Sequence, residues 1–204
     1  MVKSLSELGK VEVDSGLAYR LLHPRHTVLV TCVDKIGKTN IITLAWSMPT
    51  SHNPPLVVIS IAPKRLSHRM IEQTGEFVVN VPTQEIVQDT LFCGRISGTK
   101  CDKFKEASLT ALPAKKVRSP IIKECVAHLE CKLLQQIRTG DHTLFVGEVL
   151  AAYVNEGVFT RTFKIKKVKP IYHVGGNDFA TLSPKLILHR AQKAMVNEKI
   201  KRLD

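Results

Sequence analysis

Aromatic side chains are scarce: one tryptophan, three tyrosines and seven phenylalanines in 204 residues, 5% of the chain. That is few for a protein that stacks unpaired bases on its side chains, and no finger, RNP-like or helix-turn-helix pattern accompanies them. Long apolar runs are also missing. None approaches the roughly 18 residues of a membrane-spanning helix, which argues against a membrane protein. Met1 to Lys10 is polar and lacks the apolar centre of a secretion signal. Five cysteines, Cys32, Cys93, Cys101, Cys125 and Cys131, form no C-x-x-C pair. Reduced thiols in a cytoplasmic protein are the expectation. Neither a P-loop nor a G-x-G-x-x-G fingerprint is present. Acidic residues are outnumbered, 18 against 30 Lys and Arg, for a net charge of +12. Such a balance suits an anionic partner: a phosphorylated cofactor, an acidic protein or, less readily, nucleic acid.

What is present is a chain with 44% hydrophobic residues, enough to exclude disorder and to build a sizeable core. Residues 1–22 read as an irregular lead-in. Residues 27–33 (T-V-L-V-T-C-V) are β-branched and predict a strand, a turn follows at 34–38, and 39–46 return as a second strand. A polar turn is expected at 49–55. Residues 56–62 are almost unbroken apolar, as in a strand buried on both faces. A short helix over 66–73, stopped by Gly75, leads to a strand at 76–81. Thr83 reads as the N-cap of a helix over 84–92 with Ile86, Val87 and Leu91 inward. Residues 94–104 have loop composition. Strands are expected within 121–136, over 142–154 with a bulge at Gly147, and over 170–174. Gly175-Gly176 opens a basic tail, and Ser183-Pro184 starts a helix running to about Arg202. The whole reads as one mainly β domain, residues 1–204, with a core of about 20–180 and a helical extension over 183–204. Pattern alone does not separate a barrel from a sandwich with peripheral helices.

Several residues could carry chemistry. Lys64 and Arg65 supply two cations, Ser67 a hydroxyl, and the start of the 66–73 helix free N–H groups, the makings of an anion site. A solvated basic turn capping a helix would look the same. Trp46, beside a polar turn, can stack on a flat ligand or simply fill the core. Ser97 and Gly98 let a ligand approach backbone, and Lys103 can face an anionic or electron-rich group; a plain solvent loop is the alternative. His142 is a hydrogen-bond donor or a turn histidine. Cys125-x2-His128-x2-Cys131 resembles a metal triplet, but strand alternation would place the two cysteines on one face and the histidine on the other, so no metal is expected. Cys93 and Cys101 flank a loop and could pair on oxidation. No nucleophile and base are spaced for catalysis, which favours a borrowed cofactor.

Six phrases in order carry a family resemblance: H-P-R-H-T-V-L-V-T, N-x5-W-S-M-P-T-S-x-N-P-P, P-K-R-L-S, T-G-E-F-V-V-N-V-P, S-G-T-K-C-D-K-F and G-D-H-T-L-F-V-G-E-V. Over about residues 20–179 the chain resembles the flavin reductase-like family of FMN-binding split barrels, flavoredoxins among them. The resemblance implies a six-stranded antiparallel Greek-key barrel with peripheral helices. It also implies a homodimer binding FMN near the subunit interface, and oxidoreductase chemistry: electrons or hydride from a donor such as NAD(P)H or a redox protein pass through FMN to an acceptor. Carried over by position, Asn40, Trp46, Ser47 and Met48 would lie by the flavin. Lys64, Arg65, Ser67 and His68 would hold its phosphate, with Ser97 and Gly98 nearby. Lys103 and His142 would approach the ring or the ribityl chain, one or the other raising the ring's potential, and Phe179 would be an aromatic neighbour. Ile42 stands where relatives often have a flavin-contacting threonine, and Ser67 where threonine is common. A basic β-barrel that binds nucleic acid, and a flavin-binding protein without turnover, are the competing readings.

Overall fold

A computed structural model describes residues 6–183. The helix expected from Ser183-Pro184 onward otherwise lies outside the described residues. The strands are β1 (Arg25–His26), β2 (Val28–Val33), β3 (Thr39–Leu44), β4 (Ser47–His52), β5 (Pro55–Ile61), β6 (Glu76–Val81), β7 (Ala111–Leu112), β8 (Ile121–Ile122), β9 (Ala127–Thr139), β10 (His142–Val154), β11 (Ile171–Gly175) and β12 (Asp178–Thr181). Among the described residues three α-helices interrupt them: α1 (Leu66–Thr74), α2 (Val87–Arg95) and α3 (Lys103–Glu106). Among the described residues no helix is long and apolar enough to cross a membrane.

One seven-stranded sheet dominates, in the order β3-β2-β6-β9-β10-β5-β4, with antiparallel pairing throughout. Val28 and Val30 of β2, Ile42 and Leu44 of β3, Ile59 and Ile61 of β5, Phe77 and Val79 of β6, Cys131 of β9 and Phe145 of β10 meet in one buried core. Six strands therefore face one another around a barrel, and β4 adds a seventh at an open edge. The opposite face of the first hairpin is buried too. Leu29 and Ile41 pack there with Cys93 of α2, Phe104 of α3, Leu109, Ile122 and Cys125. This is why residues 28–33 show no polar alternation: all six are buried. A smaller sheet, β1-β11-β12, lies beside the barrel.

Several elements differ from expectation. Residues 49–55 are not simply a turn: Ser47–His52 form β4, paired with β5. As an edge strand, β4 can carry Pro49, whose missing N–H is no loss on an unpaired side. Thr83 makes no side-chain capping bond; a 3-10 turn over Gln84–Ile86 precedes α2, whose buried residues are Thr90 and Cys93. The lead-in holds a 3-10 segment, Ser15–Leu22, where the Asp14 carboxylate accepts from Gly16 N at 2.6 Å. Gly175-Gly176 does not end the sheet, because β12 folds back on β11. Cys125 packs in the second cluster and Cys131 in the barrel core, since β9 begins only at Ala127 and its alternation does not reach back to residue 125. The long strand at 142–154 and its irregularity at Gly147 appear as expected.

Candidate functional site

β3 carries one wall of two neighbouring cavities. Asn40 and Ile42 line the smaller, of about 180 Å³, and Thr43, Leu44 and the following Ala45 and Trp46 line the larger, of about 350 Å³. Gly94, in the last turn of α2, borders both. A side chain there would press on Thr43 Cβ at 3.2 Å, so the partition between the cavities is kept thin by a glycine.

The smaller cavity is an anion cradle. α1 starts at Leu66, directly after Lys64 and Arg65, so the first-turn N–H groups and two cations open on the same space. Ser67 is 1% exposed; its Oγ accepts from Asn40 Nδ2 at 2.8 Å, which leaves its O–H to donate. Ser97 and Gly98 form the opposite rim, and a Cβ on Gly98 would collide with the Asn40 carboxamide. Lys103 enters from below. Asp102 caps α3 by accepting from Phe104 N at 3.0 Å, which turns Lys103 inward. The lysine is only 5% exposed, and its Nζ donates to Ile41 O and to Cys93 O, both at 2.7 Å. An ammonium has three N–H bonds, so one is left for the cavity. Burial holds the Lys103 pKa below its ordinary value. Burial also pushes the nearby thiols of Cys32 and Cys93 up to about 12, so they stay protonated and unreactive.

The larger cavity is flat-sided. The Trp46 and His142 rings lie 4.9 Å apart at 41°, and Tyr19 meets Trp46 edge-on at 5.8 Å. Asp141 Oδ1 accepts from His142 Nδ1 at 2.7 Å, and that bond holds the carboxyl below its usual range. On the far side His173 sits 5.5 Å from Phe179. His23 Nδ1 lies 3.0 Å from His173 O. Arg95 reaches from α2 to the β11–β12 turn, donating to Gly176 O at 2.8 Å and to Asn177 Oδ1.

Of the residues expected at the site, Asn40, Lys64, Arg65, Ser67, Ser97 and Gly98 line the smaller cavity, and Trp46, His142 and Phe179 the larger. Lys103 is brought to the anion end, not to the ring end. His68 lines neither cavity: its Nε2 meets Thr143 Oγ1 at 2.9 Å, its Nδ1 meets Glu72 at 3.2 Å, and its ring packs edge-on against Phe145. On α1 it is one step past Ser67, which rotates it toward the barrel core. Ser47 and Met48 also line neither, because they open β4 opposite Ile59 and Val58, and Met48 is 55% exposed. Residues not anticipated at the larger cavity are Tyr19, Arg20, His23, Thr27, Arg95 and His173. The four-residue step from Tyr19 to His23 could have flagged those two, whose rings meet edge-on at 6.1 Å; no local pattern marks Thr27, Arg95 or His173.

Two adjacent cavities, an anion cradle and an aromatic-lined pocket, define a protein with a site suited to an elongated, phosphorylated ring compound. Comparison with known proteins gives that class its family. Residues 19–177 match the family model described as "Flavin reductase like domain", and the chain belongs to this FMN-binding family. An uncharacterized protein of Archaeoglobus fulgidus is 45% identical over 68% of this chain and 76% of its own length. A protein of Pseudomonas putida described as a flavin reductase is 30% identical, over 73% of this chain and 85% of its own. The crystal structure of flavoredoxin from Methanosarcina acetivorans superposes with a TM-score of 0.79 at 26% identity, covering 92% of this chain and 98% of that one. Its likeness identifies the fold as an FMN-binding split barrel.

Proposed function

We propose that this protein is an FMN-dependent oxidoreductase of flavin reductase type. The observation that carries the reading is the adjacency of the two cavities, which share Gly94 as a lining residue: cations and N–H donors line one, aromatic side chains the other. The residues fit FMN on their own terms. Gly98 lets the Asn40 carboxamide, which a Cβ there would displace, sit against Ser67, and Lys103, Ser67 and the α1 N-terminus form a donor set suited to a phosphate. Lys64 and Arg65 would close over it from solvent. Trp46, His142 and Phe179 would flank the ring. When bound, FMN supplies the chemistry, accepting hydride or electrons from a donor such as NAD(P)H or a redox protein and passing them to a flavin, ferric complex or partner protein. His142, held by Asp141, is the cationic or hydrogen-bonding group placed to tune the ring, since Lys103 serves the phosphate. A homodimer belongs to the same proposal. Met48 and Leu134, 55% and 52% exposed, and Ile137, 40% exposed, are apolar surface on β4 and β9 suited to a second copy.

Purified protein is expected to be yellow or to take up FMN with quenching of Trp46 fluorescence; no binding at micromolar FMN refutes the reading. Lys64→Ala combined with Ser67→Ala should weaken FMN more than riboflavin, and equal losses would contradict the phosphate assignment. NADH and NADPH oxidation, assayed with free FMN and with ferric complexes, identifies donor and acceptor. The mass in solution tests the dimer.

A further inference from the structure

Two residues in the wall of the larger cavity each carry a buried polar atom without a protein partner. Thr27 is 0% exposed, yet its Oγ1 has no hydrogen-bond partner, and His23 Nε2 is likewise buried and unpartnered. Both residues line this cavity. A buried hydroxyl left unpaired is costly, and such groups call for an explanation. The two atoms have defined chemistry. His23 Nδ1 faces the backbone oxygen of His173, which only accepts, so Nδ1 carries the proton. In the neutral ring Nε2 is then a bare acceptor. Thr27 Oγ1 has a proton to give. Together they offer one acceptor and one donor, and the group that satisfies both has an N–H next to a carbonyl.

Their place in the fold agrees with this. Val28 pairs with Leu44, so Thr27 stands opposite Ala45, at the cavity end of β3 farthest from Asn40. Arg25 Nε donates to Ala45 O at 3.0 Å and holds the two chains together there. The flat ligand that enters from the anion cradle meets these atoms last, with its outer edge.

We propose that His23 and Thr27 recognise the cyclic imide edge of the flavin ring: His23 Nε2 accepts from N3–H and Thr27 donates to an adjacent carbonyl. The inference rests on the FMN reading above. It makes this pair the filter that separates flavin from other phosphorylated aromatic ligands. The orphaned atoms are then the cofactor's own partners, in the deep part of the cavity, and the more exposed Tyr19 and Arg20 are left for the second substrate.

Two measurements test it without relying on turnover. Thr27→Val keeps shape and removes the orphan. The protein without FMN should melt about 2–4 °C higher, while FMN binds about fivefold more weakly. A purely structural threonine would not move the two readings in opposite directions. Separately, ¹⁵N-labelled FMN reports the N3 proton by NMR. It should exchange slowly in the wild type and rapidly in His23→Phe, which keeps the ring packing against Tyr19 and His173. An N3 proton that exchanges in the wild type as in free FMN overturns the proposal. So does a Thr27→Val protein with unchanged FMN affinity and a raised KM for the electron acceptor, which would give these atoms to the second substrate. If the wild type takes up no FMN, the flavin reading itself falls, before any variant is compared.

Discussion

Lys103→Met isolates the contribution of a buried cation to this site. In the wild type Nζ ties β3 to the end of α2 through Ile41 O and Cys93 O, both at 2.7 Å. Each such charge-assisted bond contributes about 1.5–3 kcal/mol. Methionine keeps the stem but leaves both carbonyls unpaired. It also removes the desolvation cost of an ammonium that is only 5% exposed, which offsets much of the loss. A net destabilisation of about 2 kcal/mol follows, or a melting point about 4–8 °C lower. The ligand effect is more selective. Losing the third N–H costs one charge-assisted bond to phosphate, so FMN should weaken about 10- to 100-fold while riboflavin changes little.

The pH dependence carries the sign of the mechanism. Burial lowers the Lys103 pKa in the folded protein, so between that value and the ordinary one near 10.4 the unfolded chain binds the extra proton. Folding stability contributed by this group therefore rises with pH across the window, and it is lost as pH falls through the lowered pKa. A bound phosphate favours the ammonium. FMN affinity should then fall as pH rises through the free site's pKa, while riboflavin affinity stays flat. Titration of Trp46 fluorescence with each ligand between about pH 7 and 10 measures both. Equal loss of FMN and riboflavin in Lys103→Met, or the same alkaline fall of FMN affinity in the variant and the wild type, would refute the reasoning.

Two further outcomes can be measured directly. Gly98→Ala should push the Asn40 carboxamide off Ser67, because the new Cβ would lie 2.8 Å from Asn40 Cγ; a loss of FMN affinity of about tenfold with lesser loss for riboflavin is expected, read by the same titration. Burial depresses His128 to about 4, and its Nδ1 lies 2.8 Å from Asn80 Oδ1. The unfolded chain takes up that proton first, so stability should decline by roughly 3 kcal/mol as pH falls from about 6.5 to 4. Thermal unfolding across that range should show a shallower decline in His128→Gln.

Much of the fold is legible in the sequence because local pattern and burial agree. The strand at 76–81 and the strand at 142–154 coincide with β6 and β10, bounded as they are by Gly75, Pro82 and Gly140. β4 is not legible, since an edge strand needs no apolar alternation and Pro49, with Pro54 and Pro55 just beyond the strand, imitates a turn. β12 hides behind Gly175-Gly176, a turn that reads as an ending. At the site, the anion end is legible because helix start, cations and hydroxyl are contiguous in sequence. The ring end is legible only in part: Trp46 and His142 stand out by residue type, but Tyr19, Thr27, Arg95 and His173 come from separate segments, and only the pairing of β1 with β11 and the reach of α2 bring them together. Lys103 shows a different limit. Composition marks it as a cation but cannot say that two backbone carbonyls will draw it under the sheet.

The run from Asn40 to Trp46 behaves as a ruler. Its residues pass along both cavities in sequence, and an extended chain of that length spans roughly 20 Å. Strand pairing with β2 clamps residues 39–44 of it in register, so the graduation does not slip. In the proposed binding mode, the distance between the anion cradle and the His23–Thr27 pair is set by backbone arithmetic, and no single side chain adjusts it. Ligands whose phosphate and ring are joined by a shorter spacer would then be expected to satisfy one end or the other, and not both. Selectivity for linker length would in this sense be built into the barrel wall, and changing it would require inserting or deleting residues in pairs, since a single step would turn every side chain of the strand to its opposite face.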